Sequence, residues 1–303
     1  MSEEIKERIR GVIPVVFTPF DEEEKLLEEV LEDHIEFLIK GGVNGLFVCG
    51  TYGLGPIMSR RERERVAETA VRVSGGAVPV IVNIGVTRTH EAVRLARHAE
   101  RIGSDAISCI TPYFYTKIDD LALIQHFAII SKSVELPILL YNIPSATGVN
   151  ITADMLDRIL REIPGVIGIK DSSGNMDQLC SHVNKAGDRA IIINGSDALF
   201  LPALTIGAKG VVSAIANIDP QLMIDVYDAF VDGRSEDARR AQTRVVTLRS
   251  ILREYPQVSS YYEAVGLWGR RFGTVKRPLR PLLKEEKESL RSELSRAGFI
   301  KDT

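Results

Sequence analysis

Lys170 ends an apolar run, residues 166–169, and is followed at once by Asp171 and a polar, Gly-containing loop. A lysine at the end of a buried strand cannot carry its ammonium freely into water. Burial disfavours the charged form and lowers the pKa. A partly neutral amine is a nucleophile toward carbonyls, which is what Schiff-base chemistry requires. Tyr141 closes the preceding apolar run, residues 138–141. A phenol beside such an amine can move the protons shifted in carbinolamine formation, dehydration and C–C cleavage. Taken singly, the position of Lys170 favours the catalytic reading over a lysine snorkelling to the surface, whereas Tyr141 reads first as a tyrosine capping the core.

A third element could hold the substrate. Residues 50–55 read G-T-Y-G-L-G, and Ser59-x-x-Glu62 follows as a capping box that starts a helix. A Gly-rich turn leading toward a helix N-terminus offers backbone N–H groups to an anion, and a substrate carboxylate would suit it. The pattern lacks the G-K-[ST] of a phosphate loop, which argues against nucleotides. Taken alone, the turn is equally compatible with glycines needed only for tight geometry.

The elements that must position these residues alternate along the chain. Strand patterns fall at 12–17, 45–49, 78–84, 106–110, 138–141, 166–170, 190–194 and 210–214. Helical patterns at 27–40, 60–73, 90–102 and 153–161 lie between them. This alternation implies βαβ units and a parallel sheet, and continuously apolar strands imply that both faces are covered. Eight units is the count of a (β/α)8 TIM barrel, an α/β fold whose chemistry sits at the C-terminal ends of the strands. No G-x-G-x-x-G follows the first strand, which argues against a doubly wound dinucleotide fold. The expected division is a barrel over residues 1–218 and C-terminal helices over 219–303, the last barrel helix included. Helical patterns in that tail cover 220–231, 236–254, 259–268 and 285–297. The strand ends carry Thr18, Thr51, Tyr52, the segment Thr111-Pro112-Tyr113-Phe114-Tyr115, Tyr141, Asn142, Lys170, Gly195, Asp197, Ser213 and Asn217, all expected on one rim.

The remaining composition narrows the class. A net charge of −3 over 303 residues gives no electrostatic footprint for nucleic acid. Arg60, Arg61, Arg63 and Arg65 are interleaved with Glu62 and Glu64 and read as a solvated helix face. Cys49, Cys109 and Cys180 are scattered and odd in number, which fits a reducing compartment. The N-terminus lacks the apolar core of a signal peptide, and no apolar run reaches the ~18 residues of a membrane span. The expectation is a soluble, cytoplasmic protein that binds a small molecule. The five histidines, His34, His90, His98, His126 and His182, form no metal-binding spacing and read as surface or interface residues. No G-x-S-x-G elbow marks a serine hydrolase.

Together, G-T-x-G, T-P-Y, Y-N-I-P, G-I-K-D and G-x-D, in order and in register with the strands, resemble the pyruvate-dependent class I aldolases. That family includes dihydrodipicolinate synthase, N-acetylneuraminate lyase and 2-keto-3-deoxygluconate aldolase. The resemblance runs from Thr18-Pro19-Phe20 to Arg277-Pro278-Leu279. It implies that Lys170 forms an imine with pyruvate or another 2-oxo acid and that Tyr141 is the acid/base beside it. It implies that Thr51 and the loop of Gly50 and Tyr52 hold the carboxylate, and that main chain near Val212 bounds the pyruvyl pocket. Gly195 to Asp197 would face the second substrate, with Tyr113 and Tyr115 completing the binding set. No cofactor is implied, since the protonated imine is the electron sink, and the usual assembly is a homotetramer.

Four positions depart from the pattern. Tyr52 stands where a second small hydroxyl residue is common, and Phe114 where a tyrosine serves a neighbouring subunit's proton relay. Tyr52 is therefore expected to replace part of that relay, with Tyr115 the other candidate. Ala146 stands where the synthase has an arginine for aspartate semialdehyde, and alanine cannot make a bidentate contact to a carboxylate. With Leu54 in place of Glu, the segments most resemble archaeal-type 2-keto-3-deoxygluconate aldolases. The leading reading is reversible cleavage of a 2-keto-3-deoxy sugar acid to pyruvate and a glyceraldehyde-like aldehyde. The alternatives are 4-hydroxy-tetrahydrodipicolinate synthase and, more remotely, a non-catalytic 2-oxo-acid-binding protein.

Overall fold

The computed structural model describes residues 2–301. Eight strands form one parallel sheet: β1 (Gly11–Pro14), β2 (Leu46–Val48), β3 (Val80–Asn83), β4 (Ala106–Ile110), β5 (Ile138–Asn142), β6 (Val166–Asp171), β7 (Ile191–Asn194) and β8 (Gly210–Ser213). Their order is β1-β8-β7-β6-β5-β4-β3-β2. A parallel bridge from Val15 to Phe47 joins β1 to β2 and closes the ring, with the Val16 N–H donating to the Phe47 carbonyl at 2.9 Å. The chain is therefore the (β/α)8 barrel its patterning predicts.

Every residue of these strands is buried, which is why they read as continuous apolar runs and not as alternating ones. Helices cover the outside: α1 (Ser2–Arg8) precedes the barrel, and α2 (Glu28–Lys40), α3 (Arg60–Ser74), α4 (Thr89–Arg101) and α5 (Asp120–Ser131) follow the first four strands in turn. The short α6 (Pro144–Thr147) and then α7 (Ala153–Glu162) follow β5. Next come α8 (Met176–Ala186), α9 (Phe200–Thr205) and α10 (Pro220–Val231), one after each remaining strand. The capping box at Ser59 forms as read: its side chain accepts from the Glu62 N–H, and Glu62 reaches back to the Ser59 N–H.

The chain continues in α11 (Ser235–Arg253), α12 (Gln257–Leu267) and α13 (Lys284–Arg296). Helix α11 packs on α10, α9 and the turn at Asp197–Leu199. It thus leans over the rim that carries the strand C-termini, and the C-terminal helices contribute to that rim.

Two readings of polar residues change with the fold. Arg63 is buried, not part of a solvated face: its guanidinium donates to the carbonyls of Asn83 and Gly85 at the end of β3. Of the histidines, only His90 is exposed; His34, His98, His126 and His182 are buried. Each buried ring finds a partner: His34 meets Asn217 and His182 the Ile151 carbonyl, while His98 and His126 meet Glu68 and Thr89 of the neighbouring helices α3 and α4. Polar side chains on inward helix faces are buried tolerably once hydrogen-bonded, and helical periodicity alone could not say what they would meet. Cys49 and Cys109 are buried free thiols, Cys180 an exposed one. Among the described residues no helix is long and apolar enough to cross a membrane.

Candidate active site

Lys170 and Tyr141 are directly opposite each other in the β5–β6 register. Both side chains point into the barrel mouth and both are nearly fully buried, at 3% and 2% exposure. The lysine Nζ lies 3.8 Å from the centroid of the Tyr141 ring and 4.2 Å from that of Phe47 on β2. Burial between these rings lowers the Lys170 pKa from 10.5 to about 7, against a smaller opposing pull from the Asp197 carboxylate. Near neutral pH a substantial share of this amine is therefore unprotonated.

The Tyr141 hydroxyl lies 3.1 Å from Thr51 Oγ1. Burial raises its pKa, while contacts from Thr51 and Ser172 favour the phenolate. Burial thus favours the protonated phenol, and Thr51 and Ser172 are the neighbours placed to stabilise its anion. Thr51 is delivered by the loop after β2, which is tightly folded: Leu54 donates to the Thr51 carbonyl and Gly55 to the Gly50 carbonyl. Cys49 and Leu54 flank it with positive φ, 58° and 63°. A Cβ at Gly55 would overlap the Cys49 carbonyl, and one at Gly50 would press on Val15 and Phe47. The glycines here are thus required for close backbone approach. The N–H groups of Thr51 and Tyr52 meet no acceptor among the described residues and are free for an anion.

Strand-end asparagines brace the rim. Asn83 donates to the Cys49 carbonyl, Asn142 to Asp171, and Asn194 to the Ser196 carbonyl. Asn217 bridges the Val15 and Ala214 carbonyls. Asp171, next to the lysine, accepts from the Ser173 N–H at 2.8 Å and from Gln178 at 3.1 Å, and lies 3.2 Å from His182 Nδ1. Burial would raise its pKa, but these donors together hold it below the usual value.

Of the sequence-predicted residues, Lys170, Tyr141, Thr51, Tyr52, Gly195, Asp197 and Val212 line one cavity of about 380 Å3. Gly50 is not among the lining residues. Tyr113 is half-buried outside it, and Tyr115 is 77% exposed with its ring edge-on to Phe114. Tyr52 sits in the cavity wall, but its ring meets Tyr261 at 5.0 Å and its hydroxyl is partnered by Tyr261. The Tyr141 hydroxyl is instead held by Thr51 and Ser172. Asp197 is buried and its pKa is raised by that burial, opposed by the Ser213 hydroxyl, the charge of Arg249 and nearby backbone N–H groups. Its Oδ1 is buried without a hydrogen-bond partner, and the residue lines the cavity.

Sequence reasoning missed several wall residues: Phe47, Ser172, Arg249, Arg253, Gln257 and Tyr261. Ser172 could have been found, since it adjoins Lys170-Asp171. The others belong to a strand interior or to helices after the barrel, with no local signature. No group of three or more potential metal ligands occurs among the described residues. Another cavity, of about 410 Å3, lies against Phe20, Tyr262 and Arg271 and contains neither the lysine nor its tyrosine.

Comparison with known proteins agrees with this geometry. The model of the dihydrodipicolinate synthetase family matches residues 8–297. A 4-hydroxy-tetrahydrodipicolinate synthase of Methanopyrus kandleri is 35% identical over 294 residues, covering 97% of this chain and 98% of that protein. A DapA-like lyase of Halobacterium salinarum is 35% identical over 292 residues, 96% of this chain and 95% of its own length. Among solved structures, the Escherichia coli K12 prophage protein YagE, crystallised with pyruvate, superposes with a TM-score of 0.93 at 30% identity, covering 96% of this chain and 99% of YagE. The dihydrodipicolinate synthase of Aquifex aeolicus gives 0.91 at 32% identity, covering 97% of this chain and 100% of that one. With a barrel of the same form and matches over nearly its whole length, the chain belongs to the dihydrodipicolinate synthetase family of pyruvate-dependent class I lyases and synthases.

Proposed function

We propose that this enzyme joins and splits pyruvate and an aldehyde through an imine on Lys170. The carrying observation is the buried Lys170 amine, with a pKa lowered to about 7, set over Tyr141, whose hydroxyl meets Thr51 at 3.1 Å.

Each step then has a group to perform it. The neutral Nζ adds to C2 of pyruvate, and the former carbonyl oxygen takes protons and leaves as water. The protonated imine withdraws electrons, and a C3 proton is lost to give an enamine. The C3 carbon attacks the aldehyde carbon, whose oxygen takes up a proton. Water adds back to C2 and frees the amine, so the water released at the start is consumed at the end. Tyr141 is placed to carry these protons, with Thr51 as the next hydroxyl in line. The free N–H groups of Thr51 and Tyr52 would take the pyruvate carboxylate.

For the aldehyde, the reading is a 2-keto-3-deoxy sugar acid cleaved to pyruvate and a glyceraldehyde-like product. Ala146 supports it: the residue is exposed in α6 and offers no polar group to the cavity. The second reading, condensation of pyruvate with aspartate semialdehyde, is favoured by the synthase names of relatives that match the chain end to end. Borohydride reduction in the presence of pyruvate tests the shared chemistry. A mass increment on the peptide bearing Lys170 is expected; its absence would sink the imine. Turnover with glyceraldehyde and aspartate semialdehyde then separates the two.

A homo-oligomer belongs to the same reading. Phe114 and Tyr115 are exposed at 82% and 77%, and the adjoining α5 turns Leu121 and Ile129 outward while burying Leu123, Ile124 and Phe127. A helix apolar on both sides, beside an exposed aromatic pair, suits coverage by a second copy. Light scattering of wild type and Phe114→Asp would test it, with a drop in mass expected for the variant.

A further inference from the structure

The loop of residues 50–55 is only partly held by its own hydrogen bonds. The Gly50 carbonyl accepts from the Gly55 N–H, and the Thr51 carbonyl from the Leu54 N–H. The next two carbonyls are met by hydroxyls from outside the loop. Tyr262 of α12 donates to the Tyr52 carbonyl at 3.0 Å, and Thr18 Oγ1 donates to the Gly53 carbonyl at 2.8 Å. These two residues are themselves joined, since the Thr18 N–H donates to the Tyr262 hydroxyl at 2.9 Å. A Cβ at Gly53 would lie 2.6 Å from the Val16 carbonyl, so the loop is pressed against the chain leaving β1.

In a planar trans peptide the C=O and N–H point opposite ways. Holding a carbonyl therefore also aims the N–H of the next residue. The bond from Thr18 aims the Leu54 N–H, which closes on the Thr51 carbonyl, and that bond in turn aims the Tyr52 N–H. The bond from Tyr262 fixes the peptide on the other side of Tyr52. Every carbonyl from Gly50 to Gly53 is thus occupied. Rotating one of these peptides would leave a carbonyl unpaired and turn its negative end to the side that now presents N–H, which repels an anion.

Tyr262 does this from outside the lysine cavity: its neighbour Tyr261 lines that cavity and Tyr262 does not. Its ring is buried, stacked on Phe17 at 4.8 Å between centroids and edge-on to Phe272 at 5.5 Å. A phenylalanine would fill the same packing, so the hydroxyl is the part that serves the loop. Burial raises the Tyr262 pKa, outweighing the Thr18 N–H, and the hydroxyl keeps the proton it donates.

We propose that Tyr262, with Thr18 beside it, is a positioning residue that holds the Thr51–Tyr52 loop in the form that takes the substrate carboxylate. This rests on the reading of the Thr51 and Tyr52 N–H groups as the carboxylate site beside Lys170. It gives α12 a part in pyruvate recognition through a side chain that never meets pyruvate.

The test uses wild type, Tyr262→Phe, Thr18→Val and Thr18→Ser. Borohydride trapping of the wild type with pyruvate reports the Lys170 reading by itself. Calorimetric titration gives the affinity of each protein for pyruvate and for methyl pyruvate, its neutral ester. Tyr262→Phe keeps the ring on Phe17. It is expected to weaken pyruvate about three- to tenfold, the scale of one hydrogen bond, and methyl pyruvate by less than about twofold. Thr18→Val should do the same, and Thr18→Ser, which keeps the hydroxyl, should restore the wild-type affinity. In turnover the pyruvate KM should rise with kcat nearly unchanged, because the carboxylate is held alike in ground and transition states. If trapping fails but pyruvate affinity depends on the Tyr262 hydroxyl and methyl pyruvate affinity does not, the positioning role stands and the imine reading falls. If pyruvate binds Tyr262→Phe as it binds the wild type, or both ligands weaken alike, the role is overturned, and Tyr262 only packs α12 on the barrel. Should Tyr262→Phe fail to fold, the Thr18 pair decides: selective loss of pyruvate in Thr18→Val with recovery in Thr18→Ser supports the role, and any other pattern overturns it.

Discussion

Lys170 Nζ lies 3.8 Å from the centroid of the Tyr141 ring, and the two residues are partners across β5 and β6. Two effects oppose each other there. A cation over an aromatic face is favoured by about 1–2 kcal/mol. Burial costs the ammonium more: a pKa moved from 10.5 to about 7 corresponds to roughly 4–5 kcal/mol between the protonation states. Burial wins, and the same ring that could have stabilised an ammonium becomes the lid over a nucleophile.

Imine formation should follow the neutral fraction of that amine. The rate of borohydride-trappable adduct formation with pyruvate is expected to rise with pH through a midpoint near 7 and level off above it. Stability carries the same sign. Because the folded-state pKa is lowered, the unfolded chain holds more protons between about 7 and the usual lysine value, and stability rises with pH across that window. Lys170→Met should abolish the adduct and remove this slope, raising stability at pH 6 by roughly 2–4 kcal/mol. Denaturant titrations at pH 6 and 10 would show it, and an unchanged slope would contradict the buried-amine account.

Tyr141→Phe keeps the ring over the lysine and removes the proton. A fall in kcat of about 10²–10⁴ is expected, with the pyruvate adduct still trappable but slower to form. Thr51→Val should lower kcat by a smaller factor, about 10–100, because the phenol remains and only its relay partner is lost. Steady-state kinetics with single-turnover trapping would separate these. Equal damage from both substitutions would mean that Thr51 does more than pass a proton.

Gly195 leaves room for Ser172. A Cβ at position 195 would overlap the Ser172 Oγ, the far end of a small side chain that also contacts Tyr141. Gly195→Ala is expected to turn Ser172 aside at a stability cost within about 1–3 kcal/mol, the range for overpacking. It should lower kcat by shifting the Tyr141 environment. Ser172→Ala in the Gly195→Ala background should add no further kinetic loss, and an additive loss would place the effect of Gly195 elsewhere.

The Asp171–His182 contact secures the end of β6. Both groups are buried, and His182 Nε2 donates to the Ile151 carbonyl, so removing the ring leaves that carbonyl unpaired and takes one neighbour from Asp171, which keeps its donors Asn142, Ser173 and Gln178. His182→Leu should cost roughly 1–3 kcal/mol in urea unfolding, the scale for leaving a buried polar group unpaired. The folded Asp171 pKa is lowered, so its contribution is present above the ordinary carboxylate pKa and is lost as pH falls through the folded value. The variant should therefore lose part of the wild type's dependence of stability on acid pH. A cost below about 1 kcal/mol would show that the pair holds nothing in place.

The amino-acid sequence by itself determined the strands, their parallel arrangement and the two residues proposed to carry the central chemistry. Strands buried on both faces must be apolar at every position, so a single polar residue at the end of such a run, as at Tyr141 and Lys170, stands out in one dimension. The capping box at Ser59 was legible for the same reason: its hydrogen bonds are local. What only the tertiary structure decided is which distant side chains complete the mouth. Arg63, read as part of a solvated face, is buried because its helix packs against the end of β3. Four histidines read as surface or interface residues are buried because their helix faces meet neighbouring helices or the strand-end loops. Tyr52, expected to replace a relay hydroxyl, is instead partnered by Tyr261 of α12, more than two hundred residues further along the chain. Arg249 and Arg253 look like any helix-surface arginines in sequence. Their meaning lies in the way α11 crosses the rim, and helix packing of that kind depends on faces brought together by the whole fold, which no local pattern records.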